Sequence, residues 1–155
     1  MTYASFKFLH LLGTVLLLGN VTVTSVWKVF ADRSRCPITI AFAQRLVTGT
    51  DWAFTGSGIA LMVIGGYGMT QTAAMPLLGA PWLVWGQLLF VASGAIWLCV
   101  LLPLQTAQAK MAREFAPGAG VPEAYWKLSR QWLVWGIVAT VPLVAALYVM
   151  VSKRA

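Results

Sequence analysis

Charged side chains are scarce in this sequence, which has only 11 Lys and Arg residues and four Asp and Glu residues among 155. They make up 10% of the chain, whereas about 25% is usual for soluble proteins. Three long stretches contain no charge at all: Phe8 to Trp27, Trp52 to Ala109 and Gln131 to Ser152. This pattern excludes an ordinary soluble domain and predicts a polytopic membrane protein.

Groups that could carry chemistry are few as well. The chain has one histidine and two cysteines, without a CxxC motif or zinc-ligand spacing, and it lacks paired carboxylates and a phosphate-binding glycine loop. Structural zinc, hydrolytic and phosphoryl-transfer functions are therefore excluded. The net charge of +7 predicts contact with lipid headgroups and not with nucleic acid, because basic residues that flank membrane spans set orientation.

The uncharged runs predict four membrane crossings. They contain 20, 58 and 22 residues, and about 20 apolar residues cross a bilayer as a helix. The longest run is interrupted at 75–81, where two prolines and a glycine separate two helices. We place the helices at 4–28, 51–73, 81–104 and 129–151, which predicts an all-α integral membrane four-helix bundle forming a single domain over residues 1–155.

Basic residues predict the orientation of these helices. Eight of the eleven lie in the first and third links: Lys28, Arg33, Arg35, Arg45, Lys110, Arg113, Lys127 and Arg130. The remaining three, Lys7, Lys153 and Arg154, lie near the termini. The positive-inside rule therefore predicts both termini outside the cytoplasm, in a bacterial inner membrane. Helical spacing further predicts that the second helix begins at Pro37 in the interface, that residues 105–115 extend the third, and that a helix restarts at Pro122 and Glu123.

His10 is the main candidate for a functional site. It lies about 10 Å from the start of the first helix, and Lys7, Gly13 and Thr14 share its helical face. Neutral imidazole can ligate haem b iron, Gly13 would leave space for the macrocycle and Lys7 could pair with a propionate. The second axial ligand would be Met150, Tyr148, Tyr67, water or a partner chain. The alternative is a structural histidine that is hydrogen-bonded to Gln87 or Tyr67.

Asp51 is the second ionisable candidate. It stands at the predicted cytoplasmic entrance of the second helix, where it would cap the helix or pair with Arg45 or Arg130. The functional alternative is a proton or cation acceptor at a channel mouth. Asn20, Thr24 and Thr55 lie in other parts of the spans, where we expect them to form hydrogen bonds between helices. The glycines of the first three helices predict close helix packing.

Three short segments carry a family resemblance: Phe6 to Gly13 followed by Gly19-Asn20, Trp82 to Gly86, and Leu101 to Gln105. They resemble a bacterial family of predicted four-helix integral membrane proteins of unknown function. The first helix is also similar, more distantly, to haem-dependent protoporphyrinogen oxidases of the HemJ kind and to the membrane domain of CopD-type copper-resistance proteins. That resemblance implies that His10 is a haem ligand.

Two functions follow as hypotheses. The first is a haem-associated redox protein that acts in electron transfer or in haem and tetrapyrrole metabolism, with no catalytic residue identifiable. The second is a non-catalytic accessory or assembly subunit of a larger membrane complex, or a homo-oligomer. A small multidrug carrier is disfavoured, because the first uncharged run contains no carboxylate.

Overall fold

The fold is helical throughout the part of the chain that the computed structural model describes, residues 1–153. Six α-helices are α1 (Tyr3–Ser34), α2 (Pro37–Thr50), α3 (Ser57–Thr72), α4 (Pro81–Ile96), α5 (Leu102–Ala112) and α6 (Glu123–Ser152). Two π-helical segments join α2 to α3 (Asp51–Gly56) and α4 to α5 (Trp97–Leu101). No strand occurs within these residues. Arg154, which contributes to the predicted orientation, lies outside them.

Four continuous helices have the length and composition of membrane spans, which confirms that part of the prediction. They are Tyr3–Ser34, Pro37–Thr72, Pro81–Ala112 and Glu123–Ser152, with 30 to 36 residues each. At 1.5 Å per residue they are about 45 to 54 Å long, which exceeds the hydrocarbon thickness of about 30 Å. Each helix therefore projects beyond the apolar layer. Most of the large apolar side chains that remain exposed lie in the uncharged runs, which are the parts of the helices that would contact lipid.

One predicted helix end was wrong, since the third helix stops at Ala112, short of the predicted extension to residue 115. The second helix begins at Pro37, as predicted, and is continuous to Thr72, so residue 51 lies inside it. The fourth begins at Glu123, where a helix was predicted to restart, and includes the span placed at 129–151. Charges mark where a helix leaves lipid, but they do not stop a helix. Proline and glycine do that, and the predicted break before Pro81 is confirmed.

The chain divides into two compact helical units, of which the first contains α1, α2 and α3. In this unit α1 crosses α3 at very short distance because glycines meet there. A Cβ atom added at Gly13 would lie 2.6 Å from the Gly58 carbonyl oxygen, and one added at Gly65 would lie 2.6 Å from the Phe6 carbonyl oxygen. Backbones can approach this closely only when side chains are missing, as is typical of helix contacts in membranes.

The second unit contains α4, α5 and α6. The Ser93 hydroxyl on α4 donates to the Ala139 carbonyl of α6 at 2.7 Å, and Met150 packs on Gly86. The π-helical segment Trp97–Leu101 ends just before Pro103. Because proline has no N–H and its ring crowds the carbonyl four residues earlier, at Cys99, the wider π turn gives that ring space.

Candidate functional site

His10 is half-buried where α1 crosses α3, and its ring is bound to the neighbouring helix. Its Nδ1 atom lies 2.8 Å from the backbone carbonyl oxygen of Met62. A carbonyl only accepts hydrogen bonds, so in the neutral ring Nδ1 carries the proton and Nε2 keeps its lone pair. Within residues 1–153, Nε2 has no hydrogen-bond partner. The contact therefore fixes both the ring orientation and the tautomer.

The predicted structural partners of His10 were wrong, because the acceptor is a backbone group. The Gln87 side chain donates instead to the Leu77 carbonyl at 2.8 Å and to the Leu83 carbonyl at 3.0 Å. Tyr67 is 55% exposed. A close glycine-lined crossing brings main-chain carbonyls within reach of the ring, whereas the predicted partners were polar side chains.

Glycines of α3 form the wall against which the imidazole lies. A Cβ atom at Gly66 would be 3.2 Å from His10 Nδ1, and one at Gly65 would collide with the His10 backbone. These two glycines therefore set the distance between the ring and α3. The sequence marked them for packing, but it gave no sign that they border the histidine.

Of the other residues predicted to bind a cofactor, two are engaged in contacts within the first unit and one is exposed. Gly13 faces α3, where the Gly58 carbonyl and the Met62 amide fill the space above it, so that space is not open to a macrocycle. Thr14 donates to the His10 backbone carbonyl at 2.8 Å and lies 3.4 Å from the Met62 sulfur. Lys7 is exposed one turn before the histidine. Lys7 alone keeps a side chain open to a ligand.

Of the side chains predicted as the second axial ligand, one is packed against a glycine and two are exposed. Met150 packs on Gly86 within the second unit, Tyr148 is 72% exposed and Tyr67 is largely exposed on α3. No group of three or more His, Cys, Asp or Glu side chains in residues 1–153 could hold a bare metal ion. A haem differs in this respect, since the porphyrin supplies most of the iron ligands and the protein needs to add only one or two.

A second polar site surrounds Asp51, where the side chains of α1 and the π-helical segment meet. The Asn20 amide nitrogen lies 2.9 Å from Asp51 Oδ1 and 3.0 Å from Thr55 Oγ1, and the Thr55 hydroxyl donates to the same carboxylate oxygen at 3.2 Å. All three residues are at most 9% exposed. Asn20, Asp51 and Thr55 thus form a hydrogen-bonded triad, which we call the Asp51 triad.

The position of Asp51 corrects the prediction that it caps a helix or stands at the membrane surface. It lies inside the continuous helix Pro37–Thr72 and contacts Asn20. Asn20 is about 18 Å from Phe8 and about 10 Å from Trp27 along α1, the two ends of the uncharged run. The carboxylate therefore lies within the apolar layer. The helix is π-helical at this point. Such turns are rare in proteins as a whole, and those that occur are often found at functional sites.

Polar side chains continue from the triad toward the basic end of α1. Thr24 and Lys28 follow Asn20 at intervals of four residues, and both are buried. The Lys28 ammonium lies 2.5 Å from the Asp32 carboxylate, one turn further on. Lys28 is 2% exposed, although its sequence position suggested a membrane-flanking residue in contact with headgroups. The period of four from Asn20 to Asp32 was the available signal for this stripe.

Both cysteines are free and exposed. Cys36 lies between α1 and α2, and Cys99 lies in the second π-helical segment. The side chain of Thr39, together with the Thr39 and Ile38 amides at the start of α2, stabilises the thiolate and lowers the pKa of Cys36.

Comparison with known proteins identifies the family. Residues 4–154 match the model of the family described as "Predicted integral membrane protein (DUF2269)". The chain belongs to the DUF2269 family. No curated protein and no solved structure matches it. The similarity of this DUF2269 protein to HemJ-type and CopD-type proteins stays a prediction.

Proposed function

We propose that this DUF2269 protein binds haem b through His10 in a bacterial inner membrane, with both termini outside the cytoplasm, and serves electron transfer or haem and tetrapyrrole metabolism. The observation that carries the proposal is the hydrogen bond between His10 Nδ1 and the Met62 carbonyl. Histidines that ligate metals usually donate their other ring N–H to a carbonyl or carboxylate, which orients the ring and raises the basicity of the ligating nitrogen.

The residues around His10 suit such a ligand in three ways. Gly65 and Gly66 let α3 approach, so the Met62 carbonyl reaches the ring. Thr14 uses its hydroxyl on the His10 backbone and does not compete for Nε2. Lys7, which is exposed one turn away, is available to pair with a propionate. Gly13 has no place in this arrangement beyond helix packing.

A bound haem would supply one-electron chemistry, with its potential set by the axial ligands and by the polarity around them. The chain contributes the orientation of the imidazole, the neutral tautomer and an apolar setting that keeps water away. Met62 acts through the histidine as a positioning residue, because only its carbonyl touches the ring.

Absorbance spectroscopy tests this proposal. Protein expressed with added haem should show a Soret band, which His10→Ala should abolish while its helical circular dichroism and its elution volume in detergent stay unchanged. Free imidazole added to the folded His10→Ala protein should restore part of the band. Gln87→Ala is the matched control, because its amide bonds only within the second unit. A folded, colourless wild type would refute the proposal.

Three uncovered glycines favour the second candidate function, that of an accessory subunit or a homo-oligomer. Added Cβ atoms at Gly19, Gly94 and Gly136 would meet nothing within 4 Å, so these helix surfaces remain open to another helix. Gentle detergent extraction should then recover either a stoichiometric partner or a defined oligomer. Substitution of Gly19 by Leu should weaken that association without unfolding the chain. A monodisperse monomer would exclude this function.

A further inference from the structure

The Asp51 triad lies in the apolar layer and is independent of the proposed haem ligand. Ionising a carboxyl group in such a setting carries a large desolvation cost, so intramembrane carboxylates are functional candidates by default. Here, neutral donors from Asn20 and Thr55 bind one carboxylate oxygen and offset part of that cost. A buried carboxyl group that neutral side chains hold in place inside a membrane span is a candidate for taking up and releasing a proton.

We propose that Asp51 is a proton-binding site that exchanges protons with the basic end of α1 along the stripe formed by Thr24, Lys28 and Asp32. The geometry points to this route because these side chains lie at helical intervals of four on the face that also carries Asn20. A proton taken up at the Lys28–Asp32 pair would pass the Thr24 hydroxyl and protonate the Asp51 carboxylate. In this relay the Thr24 oxygen accepts one proton and releases its own, which requires its hydrogen bond to the Asn20 carbonyl to open, so one O–H bond forms on the Asp51 carboxylate for each proton given up at the Lys28–Asp32 pair.

Other titratable groups near the site are few. The elements that pack against the π-helical segment Asp51–Gly56 are α1, α2 and α3. On α1, Lys28 and Asp32 share the buried stripe, whereas His10 lies at the opposite end and the remaining titratable side chains are exposed near the helix termini. Arg45 is exposed on α2, and Tyr67 is the only titratable residue on α3 and is also exposed. Within these elements, Lys28 and Asp32 are therefore the groups that can deliver a proton from the basic end.

The stripe reaches the surface at Asp32, beside the buried Ala31. Thr24 is 3% exposed and its hydroxyl donates to the Asn20 carbonyl at 2.7 Å, which leaves its oxygen able to accept from a water molecule. Lys28 and Asp32 are joined directly, and Asp32 is partly exposed. In the other direction from the triad, the next buried residues on this face of α1 are Leu17 and Gly13. The route thus opens toward one end only.

Infrared spectroscopy on the wild-type protein decides whether Asp51 exchanges a proton. The chain contains only two aspartates, Asp32 and Asp51, so aspartate labelled with ¹³C at the side-chain carboxyl reports on two groups, and Asp32→Asn assigns them. In lipid nanodiscs, the carboxylic-acid C=O band of Asp51 should gain intensity at the expense of its carboxylate band as pH falls from about 9 to about 4. A group that stays fully ionised, or fully protonated, across this range would overturn the proposal.

The rate at which Asp51 becomes protonated tests whether the proton travels along Thr24, Lys28 and Asp32. After a rapid drop in pH, Thr24→Val and Lys28→Met should each slow the appearance of the Asp51 acid band about tenfold, equivalent to about 1.4 kcal/mol in the barrier. Thr22→Val is the matched control, because the Thr22 hydroxyl makes the same bond to the carbonyl four residues earlier but lies on the exposed face of α1. Wild-type rates in both Thr24→Val and Lys28→Met would refute the route. If Lys28→Met does not fold, Thr24→Val and the wild-type titration still decide the question.

Discussion

Gly65→Ala should destabilise the protein strongly, because the added methyl group would meet backbone atoms that cannot rotate away. The Cβ atom would lie 2.6 Å from the Phe6 carbonyl oxygen and still closer to the His10 amide nitrogen. Relief requires α1 and α3 to separate along their crossing. Overpacking of this kind costs about 1–3 kcal/mol, and we expect the upper end, about 3 kcal/mol, since both contacts are to main chain.

The matched control is Gly19→Ala on the other helix of this crossing, α1. A Cβ atom there meets nothing within 4 Å, and alanine is favoured over glycine inside a helix by about 1 kcal/mol. The two variants carry the same chemical change and the same gain in helix propensity, so their free energies of unfolding should differ by the overpacking cost, about 3 kcal/mol.

Unfolding in mixed micelles by increasing SDS, followed by circular dichroism and tryptophan fluorescence, measures this difference. Gly13→Ala should resemble Gly65→Ala, since its Cβ atom would also meet α3 backbone. The double variant should cost less than the sum of the two single variants, because both substitutions separate the same pair of helices. Equal stability of Gly65→Ala and Gly19→Ala would show that α1 and α3 do not cross as described.

Three further predictions concern other contacts. Thr55→Val should lower the free energy of unfolding by about 1 kcal/mol, because it removes a donor to the buried Asp51 carboxylate; an unchanged SDS midpoint would contradict the triad. Ser93→Ala should cost about 0.6 kcal/mol by removing the bond between α4 and α6, measured in the same way. Because the pKa of Cys36 is lowered, its alkylation by maleimide should be faster than that of Cys99 and should reach its plateau at lower pH than for a free thiol; equal rates would contradict this prediction.

Much of the fold could be predicted because membrane spans are encoded locally. The uncharged runs and the proline-rich break at 75–81 predicted four spans, and the structure has four helices of suitable length. The error was at the end of the third helix, which stops at Ala112 and not at residue 115. The helices that begin at Pro37 and Glu123 continue past the apolar layer, since hydrogen bonding along a helix does not depend on whether the solvent is lipid or water.

The candidate sites were predictable only in part. A lone histidine in an apolar run attracts notice, but its bond to the Met62 carbonyl depends on which face of α3 approaches it. Asp51 was placed at a helix entrance because the uncharged run begins after it. Its contact with Asn20 joins residues 31 positions apart in the chain, and no local pattern reports such a pairing.

The uncharged runs alone predict that this chain crosses a membrane four times, because the transfer of charge into hydrocarbon is unfavourable wherever that charge lies in the chain. The packing of the helices was needed to show that the His10 ring is held through its Nδ1 atom and that the Asp51 triad lies within the apolar layer. Both depend on how closely and in what register α1 meets the helix Pro37–Thr72. Glycines permit that approach, but the contact itself forms between residues that are distant in sequence.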